Sequence, residues 1–316
     1  MKELYFCNQP DNIEKVYGCA ERVYTEGEVL AEPSRFSDVE FLFSTWGMPK
    51  LTEEQIGACF PKLDTVFYAA GSVRDFAVPF LRRGVTVCSA WAANAIPVAE
   101  YAAAQIVLAG KRFFSAISYT GDKQQGKAFR QTVIGNDHGT VGILGAGSIG
   151  KRVIGLLWQY DLEIKVFDPF LPEETAAELG VEKVELPELF SSCRVVSNHL
   201  ANNAETAGMI TGELLRSMPY GGTFLNTGRG AQVREEELYA VLRERQDMAA
   251  VLDVTDPHSP IAPDAFAALP NCWLTPHIAG SLGDECRRMG ELMMEQYRKG
   301  KPYDWAVTEE MLKTMA

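Results

Sequence analysis

The chain has 316 residues, which fits about two domains of ordinary size, and its hydrophobic fraction of 47% excludes wholesale disorder or a collagen-like repeat. Lysine and arginine number 30 against 42 aspartates and glutamates, a formal net charge of −12. An acidic surface of that kind repels phosphate backbones and anionic lipid, so neither nucleic acid nor a membrane surface is an expected partner. An anionic ligand must instead be held by a few placed cations or by backbone amides.

Cys7, Cys19, Cys59, Cys88, Cys193, Cys272 and Cys286 stand singly, odd in number and without a C-x-x-C pair. That usage predicts reduced, mostly buried thiols in a cytoplasmic protein. The N-terminal MKELYFCNQPDN lacks the apolar core of a signal peptide. The most apolar stretch, residues 85–109, is interrupted by Asn94, Pro97, Glu100 and Gln105. It reads as a core strand followed by a buried helix rather than as a membrane span.

Short apolar runs alternate with helix-period segments along the chain, the pattern of βα units and a parallel sheet. Strands are predicted first at 3–8, 39–45, 64–70 and 85–90. Thr52-Glu53-Glu54-Gln55 has the form of a capping box, and Gly84, after Arg82 and Arg83, marks a helix end. A long apolar helix is predicted from Pro97, in its first position, to about Phe114, and the polar stretch 119–138 reads as a connection. A second series begins at Thr140, with strands at 140–144, 163–167, 183–185, 195–200, 223–227, 249–254 and 272–275. A last helix covers about 282–299.

The strand at 140–144 runs directly into GAGSIG at 145–150, and the helical pattern KRVIGLLWQY and a second strand ending in Asp168 follow. In that setting a glycine motif signals a dinucleotide site. Gly145 allows the tight turn, Gly147 lets a pyrophosphate approach the backbone, and Gly150 lets helix and strand pack closely. The amides around Ser148 and Ile149 then face the pyrophosphate at the positive end of the helix dipole. Asp168 would accept the ribose hydroxyls and repel a 2′-phosphate, which favours NAD over NADP.

Five blocks carry a resemblance over nearly the whole chain. They are NAIPVAE at 94–100, the glycine motif with Asp168, ETAGMI at 205–210, FLNTGRGAQVREEEL at 224–238, and LDVTDP with LTPHIAGS between 252 and 281. Together they are similar to the D-isomer-specific 2-hydroxyacid dehydrogenases. The resemblance implies an α/β protein of two Rossmann-like domains. A doubly wound parallel-sheet NAD domain, residues 101–282, would be inserted into a smaller flavodoxin-like substrate domain of residues 1–100 and 283–316. It also implies a homodimer formed through the NAD domain and the segment 119–138. Thr206, Thr227, Gly228, Asp253 and Gly280 fall at positions that line the cofactor in the family.

The implied reaction is hydride transfer between NAD(H) and a small D-2-hydroxy acid or 2-oxo acid. Arg229 matches the arginine that holds the substrate carboxylate and carbonyl, a task suited to a planar guanidinium. His277 matches the histidine that acts as acid and base. Ala70, Gly71 and Ser72 correspond to the loop whose amides bind the carboxylate, and Arg74 stands near where the family usually has aspartate.

The chain departs from the family at DVTDPHSP, residues 253–260, where His258 takes the place of a glutamate that orients the catalytic imidazole. A neutral imidazole supplies a hydrogen bond but not the charge that favours protonation. Two readings stay open. In one, another acid such as Asp256 or Asp253 compensates or a reduced rate is tolerated. In the other, the site is retuned or has lost most dehydrogenase activity, as in an NAD-binding module that senses redox state or binds a partner. HLANNAET at 199–206 also lacks a proline common in relatives.

The remaining candidates read as structural. His199 is structural or lies beside the cofactor, and His138 is solvated. No spacing of histidines and cysteines suits a metal. Glu235, Glu236 and Glu237 form the acidic first turn of a helix. Arg287, Arg288, Arg298 and Lys299 are solvated helix charges. Trp46 and Trp91 either line the substrate pocket or pack into a core.

Overall fold

The computed structural model describes residues 2–18, 22–117, 119 and 121–313, so Cys19 lies outside the described residues. The chain divides into two compact units, Met1–Ala95 with Ser281–Ala316, and Ile96–Gly280. The six described cysteines are all free and buried.

The first unit is built on strands β1 (Glu3–Phe6), β2 (Val23–Tyr24), β3 (Phe41–Ser44), β4 (Thr65–Tyr68) and β5 (Thr86–Ser89). All pair in parallel in the order β2-β1-β3-β4-β5, the flavodoxin-like order. The two-residue β2 has no periodicity to betray it in sequence, and it adds through Tyr5 opposite Val23. The helix Glu53–Cys59 opens on the capping box: the Thr52 hydroxyl accepts the Gln55 amide at 3.2 Å, and Gln55 Oε1 accepts the Thr52 amide at 2.8 Å. Gly84 takes a left-handed φ of 76° after the helix Ala77–Arg82. Trp46 and Trp91 both pack on the core of this unit, and Trp91 meets Trp305 edge to face at 5.4 Å.

The second unit holds β6 (Gly139–Leu144), β7 (Leu162–Phe167), β8 (Glu182–Lys183), β9 (Val195–Asn198), β10 (Thr223–Asn226), β11 (Ala249–Leu252) and β12 (Cys272–Leu274). Their order is β12-β11-β10-β9-β6-β7-β8, all parallel. β9, β10 and β11 are buried at every position, which is why they read as unbroken strand segments rather than alternating ones. The chain reverses direction across the sheet between β6 and β9. In such sheets ligands bind beyond the carboxyl ends of the strands at that switch point. The α/β class with two parallel sheets is the one expected from the sequence.

Two expectations need correction. Pro97 does not start its helix: the helix runs Trp91–Gly110 with Pro97 inside it. Its first turn begins where Ala90 O accepts the amides of Ala93 and Asn94, and packing of Trp91 against Trp305 holds that turn in place. The helix ends at Gly110 rather than at Phe114, because Arg112 turns left-handed with φ 51° and a short separate helix, Phe113–Ala116, follows. The stretch 119–138 is more than a connection. It contains the helix Lys123–Thr132, capped by Asp122 Oδ1 on the Gln125 amide at 2.7 Å and burying none of its side chains.

The helix Trp91–Gly110 is long and apolar enough to cross a membrane by length and composition alone. Ala99, Ala102, Ala103, Ile106 and Ala109 from it lie in the core of the second unit.

Candidate cofactor and catalytic site

The glycine motif forms the turn between β6 and the helix Ser148–Leu157. Gly145 has a φ of 86°, and a Cβ on Gly150 would sit 2.0 Å from Gly145 O, so only glycine allows the helix this close to the turn. A Cβ on Gly147 would meet nothing within 4 Å, which leaves its backbone approachable. No side chain caps this helix, so its first amides are left for an anion. Asp168, just past β7, reaches back into the turn: Oδ2 accepts the Ala146 amide at 2.8 Å and Oδ1 accepts the Phe170 amide at 2.9 Å. Each oxygen keeps a lone pair for a ribose hydroxyl. An open glycine backbone, an uncapped helix start and a carboxylate beside them fit a dinucleotide.

Arg229, His258 and His277 line one cavity of about 710 Å³ within the second unit, together with Asn202, Asp253 and Asp256. Arg229 follows β10 and precedes a single 3-10 turn, Gly230–Gln232. A Cβ on Gly230 would lie 2.0 Å from Asp256 N, so the turn after Arg229 packs directly on the loop that carries His258. That loop is held in two places: Asp256 N donates to the buried Glu235 Oε1 at 2.8 Å, and His258 N donates to Asp256 Oδ1 at 2.9 Å. Burial raises the Glu235 carboxyl above its ordinary range, partly offset by that Asp256 amide.

His277 is exposed and adopts a left-handed backbone, φ 56°, which is rare away from glycine and marks local strain. Its amide donates to Thr275 O at 2.9 Å and to Asp253 O at 3.1 Å. The buried Asp253 carboxylate organises the same loop, accepting Thr275 Oγ1 and the Ile278 amide on Oδ1, each at 2.7 Å, and the Ala279 amide on Oδ2 at 2.9 Å. Tyr101, on the long helix, shares a hydrogen bond of 3.1 Å with Thr275 Oγ1. Neither Thr275 nor Tyr101 is singled out in the sequence, although Thr275 lies within the LTPHIAGS block and Tyr101 directly follows NAIPVAE.

The other predicted residues are distributed as follows. The Thr206 hydroxyl donates to Ala201 O at 2.6 Å and so closes its own loop. Thr227 Oγ1 lies 3.4 Å from His199 Nδ1, and Gly228 N donates to Asn226 Oδ1 at 3.1 Å. His199 is buried, bonded to Ser197 Oγ at 2.9 Å, and burial pushes its imidazole down to about 4, so the ring stays neutral. Gly280 closes the second unit. In the first unit Ala70, Gly71 and Ser72 follow β4, and the Ser89 hydroxyl holds the carbonyls of Ala70 and Gly71. Arg74 is half-buried on the same loop. Among the described residues no group of histidines, cysteines and carboxylates could hold a metal ion.

Residues 105–279 match the model of the D-isomer specific 2-hydroxyacid dehydrogenase NAD binding domain. The chain belongs to this family. Its cofactor is NAD, and the glycine turn with Asp168 is the place in this chain that fits it.

Similar 2-hydroxyacid dehydrogenases include a glyoxylate reductase of Korarchaeum cryptofilum, 30% identical over 88% of this chain and 86% of that protein. A D-3-phosphoglycerate dehydrogenase of Archaeoglobus fulgidus is 29% identical over 72% of this chain. The chain spans only 43% of that relative and 45% of the Synechocystis D-3-phosphoglycerate dehydrogenase. Among solved structures, D-mandelate dehydrogenase of Rhodotorula graminis has a TM-score of 0.78 at 20% identity, over 98% of both chains. The Lactobacillus delbrueckii family member solved with NAD scores 0.76 at 17% identity, over 98% of this chain and 100% of that one. These two share the fold.

Proposed function

We propose that the protein is an NAD-dependent oxidoreductase that interconverts a small 2-oxo acid and the D-2-hydroxy acid. The observation that carries this reading is the gathering of Arg229 and His277 along one cavity of the unit that binds NAD. When bound, NAD supplies or accepts the hydride. Arg229 grips the carboxylate and polarises the carbonyl through a charged, planar donor pair. His277 gives its proton to the developing alkoxide during reduction and takes it back during oxidation. Gly145, Gly147, Ser148, Ile149, Gly150 and Asp168 hold the cofactor, with Thr206, Thr227, Gly228, Asp253 and Gly280 along its path. In the first unit the amides at 70–72 are donors suited to a carboxylate.

A second reading, an NAD-binding homologue with little turnover, is favoured by the surroundings of His258. Of the two acids available in the glutamate's stead, Asp253 is bound into the 275–279 loop through both oxygens, whereas Asp256 uses Oδ1 on the His258 amide. NADH oxidation, followed by absorbance against a panel of 2-oxo acids, separates the two. Turnover of at least one acid, abolished in His277→Ala, supports the enzyme; tight NADH binding without turnover of any supports the module.

The same reading includes a homodimer in a reducing compartment, the cytoplasm. Phe113, Ile117, Tyr119, Ile134 and Tyr220 are exposed large apolar groups on or beside the stretch 113–138, and the described thiols are free. Light scattering of the purified protein tests the dimer directly.

A further inference from the structure

Gln232 ends the turn that follows Arg229 and is completely buried. Its carboxamide makes four hydrogen bonds. Oε1 accepts from Asn198 Nδ2 at 2.7 Å and from the Arg229 amide at 3.0 Å, while Nε2 donates to Leu200 O and Ala201 O, both at 2.9 Å. Asn198 Nδ2 also donates to Asn226 Oδ1 at 2.9 Å, and Asn226 Nδ2 donates to Arg229 O at 3.3 Å. The Arg229 amide therefore ends on a buried side-chain amide, and its carbonyl is shared by Asn226 Nδ2 and the Gln232 backbone amide, each at 3.3 Å.

The three amides sit at the carboxyl ends of neighbouring strands, Asn198 on β9 and Asn226 on β10, with Gln232 on the turn above them. Gln232 joins the Arg229 turn to the 200–201 segment next to Asn202, and Asn202 and Arg229 both line the cavity. A buried amide is tolerated only when its donors and acceptors are paired, and paired bonds are directional. The far side of the turn is held by backbone bonds, Gly208 N to Ala231 O at 2.8 Å and Ile210 N to Gln232 O at 2.9 Å, whereas its link to the 200–201 segment runs through the carboxamide. An apolar side chain would fill the same volume but remove that link.

We propose that Gln232 is the positioning residue of Arg229: its carboxamide fixes the guanidinium-bearing turn at one distance from the 200–202 wall. This rests on the reading of Arg229 as the residue that grips the substrate carboxylate.

The experiment compares wild type, Gln232→Met, Gln232→Glu, Arg229→Lys and the Gln232→Met/Arg229→Lys double variant of the full chain. Small misplacements of a substrate-holding group cost up to about 100-fold, so Gln232→Met lowers kcat/KM for a 2-oxo acid by about 10- to 100-fold, mainly through KM. NADH affinity, read by fluorescence, changes far less. In the Arg229→Lys background the same substitution adds almost nothing, because the group it positions is already altered. Losses that multiply across the two sites overturn the proposal.

Gln232→Glu keeps the acceptor for the Arg229 amide but loses the donors to Leu200 O and Ala201 O, so it recovers exchange protection at Arg229 and not the lost kcat/KM. If neither variant folds, native-state exchange of the wild type carries the test. The Arg229 amide is then expected among the slowest of its turn, and fast exchange there overturns the proposal. Hydrogen exchange supplies a readout that needs no turnover. The Arg229 amide exchanges about fivefold faster or more in Gln232→Met while β6 and β7 are unchanged. Unchanged exchange at Arg229 overturns the proposal. Wild type that binds NADH but reduces no oxo acid overturns the functional reading instead, and the exchange result then decides on Gln232 alone.

Discussion

The Asp253 carboxylate accepts the Thr275 hydroxyl at 2.7 Å, and with the same side chain takes the amides of Ile278 and Ala279. One buried acid at the end of β11 thus closes the loop around His277, whose left-handed backbone would otherwise relax. The loop carries its strain because Asp253, Thr275 and Tyr101 overdetermine it.

Asp253→Asn replaces one acceptor oxygen with a donor that faces an amide or a hydroxyl. Hydrogen bonds to a charged group contribute about 1.5–3 kcal/mol, so the variant loses stability of that order in urea unfolding. Oxo-acid reduction falls by about tenfold or more, as His277 is no longer held. A loss below about 0.5 kcal/mol would show that the loop stands without this carboxylate.

Gly230→Ala tests the packing of the Arg229 turn on the His258 loop. The added Cβ would sit 2.0 Å from Asp256 N and 2.1 Å from Thr255 C, both backbone atoms that cannot rotate away. The expected cost is about 1–3 kcal/mol, read as a fall in the unfolding midpoint, with weaker turnover because residues 255–258 are displaced. A fully stable and active alanine variant would show that the two loops are not in rigid contact.

His199 links stability to pH. Burial depresses its imidazole from 6.5 to about 4, so between these values the unfolded chain binds a proton that the folded chain does not. The contribution of the neutral ring is complete above pH 6.5 and is lost as the pH falls toward 4. In thermal melts the wild-type midpoint therefore drops more steeply over that window than the midpoint of His199→Gln. Parallel curves would mean that His199 is protonated with little penalty in the fold.

Much of this was legible beforehand, for physical reasons. Parallel strands buried on both faces write short apolar runs such as 140–144 and 249–252, and Gly145 and Gly150 announce a backbone that only glycine permits. Pro97 misled because the helix-start rule is local, whereas Trp91 extends the helix upstream by packing on Trp305. The helix Lys123–Thr132 was hidden because it buries no side chain and so has no apolar stripe tied to a core. Asn198, Asn226 and Gln232 were unreadable as a set: a buried amide and a solvated one are the same letter, and only the approach of β9 to β10 brings the three together.

His258→Glu addresses the departure that separates the two functional readings. His258 and His277 line the same cavity; the Asp253 carboxylate accepts two amides and a hydroxyl, and Asp256 accepts the His258 amide on one oxygen. On the proposed reading, a carboxylate at position 258 would supply the negative charge that the family's glutamate brings beside the acid/base imidazole. The rate of glyoxylate or pyruvate reduction should accordingly be higher in His258→Glu than in the wild type, while NADH binding is equal in both. If the wild type is nearly inactive, the variant gains turnover outright, since Arg229 and the glycine turn are already in place. Equal rates in the two proteins would show that position 258 does not act on His277, and the site would then have to be supported from elsewhere on the loop.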